Sequence, residues 1–334
     1  MKKVFKVALV GCGNIAKTHL LDLNETDCAE VVSLCDINEK KATFYKETYA
    51  ANARVYTDYE KMLEEEKPDS VHITTPHYLH APMTIAALKR GIHVFLEKPM
   101  CISEKEIDDI IAASNESLGK VCVCFQNRFN PSTLKAKELA DADGGVLSAY
   151  GSVFWDRDEK YYTESGWRGS YATEGGGVMI NQAIHTIDML CQFLGRPTSV
   201  CATTANHHLK GIIEVEDSCE GVIRFENGKQ GNFYATTSCT LSDDTTVFLK
   251  TKNHRIEMRM QKLYVDGNPV ELENEHTNDR LKACYGNSHN RLIEKFYHAL
   301  QSGDDMPVSL ESAAYALKIL LAAYRSHDEE TEIR

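Results

Sequence analysis

The chain has 334 residues, enough for two domains with substantial cores. With 26% charged and 43% hydrophobic residues it has the composition of a water-soluble globular protein, and no apolar run reaches membrane-spanning length. Its net charge of -12 argues against a general nucleic-acid binder, which needs a basic footprint.

The apolar run Phe5–Val10 reads as a buried strand. It runs directly into Gly11-Cys12-Gly13-Asn14-Ile15-Ala16 and then a helical pattern, the context a dinucleotide-binding loop requires. Gly11 permits the tight turn, Gly13 lets backbone approach a pyrophosphate, and small Ala16 lets helix pack on strand. The helix start at Asn14 and Ile15 offers free N–H groups to phosphates. Asp36 closes the next apolar run, Val31–Cys35, where a ribose-binding acid belongs. Met1-Lys2-Lys3 followed by Leu9-Val10-Gly11-Cys12 has the outline of a lipoprotein signal. That reading fails, because Lys6 interrupts a short apolar region and cleavage would remove the first strand.

Further strands are expected near Ser70–Ile73, His93–Leu96 and Val121–Phe125, with helices near Ala81–Lys89 and Ser103–Ser117. Such alternation implies a parallel sheet covered by helices on both faces. Thr74-Thr75-Pro76-His77-Tyr78-Leu79-His80 and Glu97-Lys98-Pro99 both follow strands at the carboxyl edge, where such sheets bind ligands. Lys98 there suits the nicotinamide and a substrate oxygen; a solvated lysine paired with Glu97 suits the position equally. His72, His77 and His80 read as loop and helix-start residues with no acid or thiol to complete a metal site, so no metal is expected. Eleven cysteines, none spaced Cys-x-x-Cys and several inside strands (Cys35, Cys122, Cys124), point to free thiols in a reducing cytoplasm.

Beyond Asn130-Pro131 the pattern changes. A helix is followed by strand material from Leu147 to Trp155, then a loop carrying Tyr161, Tyr162, Trp167 and Arg168. Gly175-Gly176-Gly177 precede a helix from Val178 to Leu194, closed by Gly195 and Pro197. On that helix Asn181, His185 and Asp188 share a face, as in a cleft wall. Spacing alone slightly favours the alternative, a buried His185 bonded to Asp188. From Ser199 to Leu272 alternating segments punctuated by Asn227-Gly228 and Asp266-Gly267 predict an antiparallel meander. Two helices follow, near Asn287–Gln301 and Leu310–Arg325. The expected architecture is α/β: an N-terminal Rossmann dinucleotide-binding domain over 1–125, then an α+β domain over 126–334 with a large, mostly antiparallel open sheet. Val222, Phe225 and Phe233 are expected on the outer face of that sheet, which would seek a partner in a homodimer or homotetramer.

In their order these motifs closely resemble the Gfo/Idh/MocA family, named for glucose–fructose oxidoreductase, inositol dehydrogenase and a rhizopine catabolism protein. The resemblance is carried by Gly11–Ala16, Thr75-Pro76 with His80, Gly91-Ile92-His93-Val94, Glu97-Lys98-Pro99, Arg128-Phe129-Asn130-Pro131, Trp167-Arg168-Gly169, Gly175-Gly176-Gly177 and Asn181-Gln182-Ala183-Ile184-His185. It implies an NAD(P)-dependent oxidoreductase acting on a sugar, polyol or sugar derivative. Lys98 would lie by the nicotinamide and His185 would serve as acid/base. Thr75, Pro76, His80, Glu97 and Lys98 would join the glycine loop and Asp36 at the cofactor. Many members carry aspartate where this chain has Asn181, so here Asn181 would bind substrate or orient His185. Arg157, Tyr162, Trp167 and Arg168 are candidate sugar contacts. Asp36 favours NAD over NADP, with Lys40 and Lys41 nearby as alternative phosphate contacts. In the expected reaction His185 accepts the hydroxyl proton as hydride leaves, while Lys98 stabilises charge on the oxygen. Two alternatives stand beside this one: a glycoside-cleaving enzyme using transient oxidation by retained NAD, and a non-catalytic dinucleotide-binding regulator. The first would release product without net NADH; the second has no need of both Lys98 and His185.

Overall fold

In the computed structural model, which describes residues 3–239, 242–243, 245–272 and 288–333, the chain divides into two units. The first comprises Met1–Gln126 with Ser288–Ala313, the second Asn127–Asn287 with Ala314–Arg334. The expected division after residue 125 adjoins the end of the first segment. Ser288–Ala313, which sequence alone places in the second domain, joins the first unit.

The first unit alternates β1 (Phe5–Val10), α1 (Asn14–Glu25), β2 (Ala29–Cys35), α2 (Glu39–Tyr49), β3 (Arg54–Tyr56), α3 (Tyr59–Glu66), β4 (Ser70–Ile73), α4 (His80–Leu88), β5 (His93–Leu96), α5 (Glu104–Asn115) and β6 (Val121–Val123). Every residue of β4 and of β6 is buried, as strands covered on both faces require. α5 begins where sequence places it: Ser103 Oγ accepts the Glu106 N–H at 3.3 Å, and Glu106 reaches back to the Ile102 N–H at 3.0 Å. The six strands are parallel in the order β3-β2-β1-β4-β5-β6. Strand order reverses between β1 and β4, which opens a crevice at their carboxyl ends.

The second unit holds α6 (Pro131–Ala142), β7 (Ser148–Phe154), α7 (Glu159–Thr163), a π turn (Met179–Ala183) running into α8 (Ile184–Leu194), then β8 (Pro197–Ala205), β9 (Ser218–Phe225), β10 (Gln230–Thr236), β11 (Thr246–Lys250), β12 (Arg255–Arg259), β13 (Lys262–Val265) and β14 (Asn268–Val270). Helix α9 (His289–Ser302) belongs to the first unit, where its buried face of Leu292, Ile293, Phe296 and Tyr297 explains the membership of this segment. Helix α10 (Leu310–Ser326) ends in the second unit, and β15 (Thr331–Glu332) closes the chain's last sheet.

That sheet has nine strands in the order β14-β13-β12-β11-β7-β10-β9-β8-β15. It is not the simple meander expected. β7 sits at its centre, antiparallel to β11 and parallel to β10. The reason is packing: α8 lies across β7, and a Cβ at Gly151 would come within 2.3 Å of the Thr186 side chain. The hairpin signals hold, with Gly228 at φ 76° and Asp266 and Gly267 at φ 51° and 83°. Phe225 and Phe233, expected on the outer face, are buried instead. They share the face of Gly221 and Gly231, and a Cβ at Gly231 would meet Leu194 and Leu190 of α8. Alternation puts other aromatics outside, where Tyr150 stacks on Phe248 and Phe154 on Tyr234 at centroid separations of 5.8 and 5.3 Å.

Candidate functional site

In the first unit, β1 ends in a turn that needs glycine. Gly11 has φ 92°, and a Cβ there would lie 2.7 Å from the Thr74 carbonyl oxygen. A Cβ at Gly13 would meet nothing within 4 Å, so the loop leaves open space ahead of α1. No side chain caps the helix, whose first turn starts at Asn14 and Ile15. Asp36 follows β2; its two carboxylate oxygens accept the Cys12 and Asn38 N–H groups, each at 2.8 Å. It thereby joins the two loops and keeps lone pairs for further donors. An open glycine cradle, an uncapped helix start and an acid at the second strand fit a dinucleotide.

Thr75 and Pro76 follow β4 and are half-buried. His80 is buried, with Nδ1 2.6 Å from the Pro99 carbonyl and Nε2 2.9 Å from the Thr75 carbonyl. It sits between the loop after β4 and the loop after β5, and burial holds its pKa below the usual imidazole value. Lys98 is half-buried on the second of these loops.

Glu97 points inward. Its Oε1 accepts from His19 Nε2 at 3.0 Å and its Oε2 from the Lys98 backbone N–H at 3.3 Å. Behind it, His19 Nδ1 lies 2.9 Å from His72 Nδ1, His72 Nε2 lies 2.9 Å from the Tyr297 hydroxyl, and that hydroxyl lies 3.0 Å from Ser70 Oγ. With Glu97 as the terminal acceptor, one direction of donation satisfies the chain. Ser70 donates to Tyr297, Tyr297 to His72, His72 to His19, and His19 to Glu97. Burial pushes the Glu97 pKa up, but the His19 N–H and the electrostatic pull of His19, His289 and Lys98 outweigh it and hold the carboxyl well below the usual range. His72 is thus a buried residue of β4, not the loop residue that sequence suggests. An acid and a thiol do converge here: ligand atoms of His19, Glu97 and Cys124 lie within 4.8 Å of one another. Sequence hides this because α1 and the segments after β5 and β6, far apart along the chain, supply them. Burial pushes the Cys124 thiol pKa up.

In the second unit, the three glycines before α8 allow close approach. A Cβ at Gly177 would lie 1.9 Å from the Glu216 carbonyl oxygen. The Glu216 carboxylate accepts the N–H groups of Gly177 and Met179, both at 2.9 Å, and the Tyr324 hydroxyl at 3.0 Å, and so anchors the start of the π turn. Within that turn the Asn181 amide nitrogen donates to Glu174 Oε1 at 2.6 Å and lies 3.4 Å from the Tyr161 hydroxyl, which also accepts from Gln182 at 3.1 Å. Glu174 Oε2 accepts the Gly169 N–H at 2.7 Å, and burial raises the Glu174 pKa to about 7. The guanidinium groups of Arg157 and Arg168 lie 5.0 and 4.5 Å from the Tyr161 ring centre, and each also faces a tryptophan, Trp155 and Trp167 respectively.

His185 lines an open pocket together with Asn127, Asn130, Met189, Met258 and Gln261. Among the described residues no lysine, arginine or carboxylate lines it. The buried Asn130 Oδ1 has no hydrogen-bond partner among the described residues. Asp188 does not hold His185: its two oxygens accept from Arg128 Nη2 and Nε at 2.6 and 2.9 Å. Of the residues expected to share a face, Asn181 lies in the π turn and bonds Glu174, Asp188 pairs with Arg128, and His185 lines the pocket.

Residues 5–125 match the family described as "Oxidoreductase family, NAD-binding Rossmann fold", and residues 133–256 match the "GFO/IDH/MocA C-terminal domain". The chain belongs to the GFO/IDH/MocA oxidoreductase family. It is similar to D-glucoside 3-dehydrogenase of Escherichia coli, at 27% identity over 98% of this chain and 97% of that protein. It is also similar to inositol 2-dehydrogenase of Rhizobium meliloti, at 24% identity over 98% of each. Among solved structures, the WlbA dehydrogenase of Chromobacterium violaceum in complex with NADH and UDP-GlcNAcA superposes with a TM-score of 0.85 at 25% identity, covering 100% of this chain and 97% of that one.

For this GFO/IDH/MocA oxidoreductase, the glycine loop, Asp36, Thr75, Pro76 and Lys98 lie at one end of the parallel sheet of the NAD-binding unit. Glu97 and His80 face inward and brace that end. In the second unit Arg157, Trp167, Arg168 and Asn181 gather around Tyr161. Tyr162 does not join them: it is buried against Leu209, Ile213 and Val215 and bonds Thr237 at 3.3 Å. Tyr161 packs half-buried against the same cluster, and nothing in the sequence marks which of the two adjacent tyrosines is fully buried. Sequence reasoning also passes over Glu174, whose one signal is a charged residue set directly before three glycines.

Proposed function

We propose that this oxidoreductase uses NAD in preference to NADP to oxidise, reversibly, a secondary alcohol of a neutral sugar, polyol or glycoside. The observation that carries the reading is the cavity at His185, lined by amides, hydroxyls and thioethers without a lysine, arginine or carboxylate among the described residues. Such a wall suits the neutral, hydroxyl-bearing part of a substrate held at His185. The similarity to D-glucoside 3-dehydrogenase over nearly the whole chain supports the same substrate class.

NAD, when bound, supplies the hydride acceptor. Gly11, Gly13, Asn14 and Ile15 hold its phosphates by backbone approach, and Asp36 binds the ribose hydroxyls and repels a 2′-phosphate. Exposed Ile37 beside Asp36 offers no compensating cation. Lys98 places positive charge at the substrate oxygen, and His185 takes its proton. Asn181 orients the substrate or His185, while Arg157, Trp167 and Arg168 frame the sugar around Tyr161. The protein works in the cytoplasm as a homodimer or homotetramer, paired through the outer sheet face of Tyr150, Phe154, Tyr234 and Phe248.

The test is a screen of the purified chain with NAD⁺ or NADP⁺ against methyl glycosides, polyols, sugar phosphates and nucleotide-linked uronates. NADH formation with neutral substrates, and a kcat/KM at least about tenfold higher with NAD⁺, is expected from the acid at position 36. Turnover confined to the anionic substrates contradicts the substrate class; preference for NADP⁺ contradicts the cofactor assignment.

A further inference from the structure

Glu174 is buried, ionisable and outside every role assigned above, yet its Oε1 lies 2.6 Å from the Asn181 amide nitrogen. An asparagine amide can sit in two orientations of nearly the same shape that exchange its donor and acceptor ends. Here the neighbours decide. Glu174 Oε2 is committed to the Gly169 N–H at 2.7 Å, and Oε1 faces the Asn181 side chain at 2.6 Å. An ionised carboxylate only accepts, so the NH₂ end of Asn181 must face it. The Tyr161 hydroxyl, 3.4 Å from the same nitrogen, lies at the same end. Oδ1 is thereby the end turned away from Glu174.

We propose that Glu174 is a positioning residue that fixes the orientation of the Asn181 amide, so that position 181 presents a hydrogen-bond acceptor one turn before His185 without carrying charge there. The inference rests on the dehydrogenase reading for its consequence in catalysis, though not for the amide orientation itself. It gives a physical account of asparagine at a position where an aspartate would also accept. When Glu174 is ionised, the negative charge sits one contact further back, where the Gly169 N–H and the Asn181 amide receive it. Among the described residues, Arg168 favours the ionised form of Glu174 and Glu216 opposes it, and the Tyr162 hydroxyl is a further titratable neighbour.

The arrangement makes an unusual prediction for a pair of substitutions. In Glu174→Gln, the new amide keeps its oxygen on the Gly169 N–H and turns its NH₂ toward Asn181. Asn181 then flips to accept, and presents a donor where an acceptor stood. Asn181→Asp alone brings two carboxylates into the 2.6 Å contact, and one must take up a proton. When Glu174→Gln and Asn181→Asp are combined, the introduced glutamine amide donates to the introduced carboxylate, and the acceptor returns. Turnover of methyl glucoside with NAD⁺ should fall roughly tenfold or more in each single variant, the scale of one lost hydrogen bond in a transition state, with KM for NAD⁺ unchanged. The double variant should recover most of it.

A readout independent of any substrate separates this inference from the functional reading. In full-length protein labelled with ¹⁵N-asparagine, the Asn181 side-chain amide should shift as Glu174 titrates, with a midpoint of about 7, and that shift should vanish in Glu174→Gln. A pH-independent Asn181 amide resonance, indifferent to Glu174→Gln, overturns the positioning role. So does a double variant whose loss is the product of the two single losses. A wild type inactive on methyl glucoside but showing the linked titration retires the substrate assignment and leaves the amide lock standing.

Discussion

Two buried glutamates, one in each unit, stand behind the residues assigned to chemistry, and their surroundings push them opposite ways. Glu97, beside Lys98, is held well below the usual carboxylate range because the pull of His19, His289 and Lys98 outweighs burial. Glu174, beside Asn181, is raised to about 7 because burial outweighs the Gly169 N–H, the Asn181 amide and Arg168. Burial alone therefore does not set the charge of a carboxyl group. The number and sign of its partners do, and each unit uses this differently. The NAD-binding unit keeps a permanent anion under its lysine, whereas the second unit keeps a carboxyl near its point of titration.

The sharpest way to break this contrast is to remove the groups in front. Lys98→Met and His185→Gln should each lower single-turnover hydride transfer by about 10²–10⁴-fold while NAD affinity and melting temperature stay close to wild type. If His185→Gln instead unfolds the protein with normal activity per folded molecule, His185 is structural. Next in size is Glu97→Gln, which leaves the chain His19–His72–Tyr297–Ser70 without its terminal anion. It should cost about 3 kcal/mol in denaturant unfolding, since one partner of a buried charged network is lost. An unfolding free energy within experimental error of wild type would refute the role given to that network.

The pH dependence of stability sharpens the comparison. Glu97 has a lowered pKa in the folded state, so its stabilisation is present above the ordinary carboxylate value of 4.5 and is lost as pH falls through its folded value. Glu174 and Glu216, both raised from 4.5 to about 7, behave in reverse. Their contribution is full below 4.5 and is lost as pH rises toward 7. Unfolding free energy should therefore decline between these values, and Glu174→Gln should flatten that decline by about one proton's worth of slope. An identical slope in the variant would place Glu174 at an ordinary pKa. A smaller effect is expected at the cofactor: Asp36→Ser should cut the preference for NAD over NADP by about tenfold, read as the ratio of kcat/KM values. The least effect on turnover is expected from Tyr150→Glu on the outer sheet face, which should convert an oligomer to a 37.5 kDa monomer by light scattering. A wild type already monomeric at micromolar concentration removes the oligomer from the account.

How much of this is legible in the sequence follows from distance along the chain. The NAD-binding unit is readable because its determinants are local: Gly11, Gly13 and Ala16 lie within one turn, and Asp36 ends the very next strand. The helix-opening Ser103 and the hairpin at Asn227-Gly228 are readable for the same reason. The cluster of His19, His72, Glu97 and Tyr297 is not, since its members come from α1, β4, the loop after β5 and α9. Helical periodicity also misleads at Asn181, because it assumes an unbroken α-helix and the π turn changes which partners each residue meets. Tyr162 and Phe233 are misplaced by sequence because an aromatic residue reads alike whether it faces a site, a partner or a core.

The central claim is direct hydride transfer from a sugar carbon to NAD in a reaction that depends on Lys98 and His185. Its most direct test follows deuterium from methyl glucosides labelled at each ring carbon in turn into the recovered nicotinamide, by mass spectrometry. The account predicts that one labelled position delivers its deuterium to the wild-type enzyme's NADH, and that Lys98→Met and His185→Gln abolish this delivery. Reduced nicotinamide free of deuterium from every labelled position, or undiminished transfer in both variants, would contradict it.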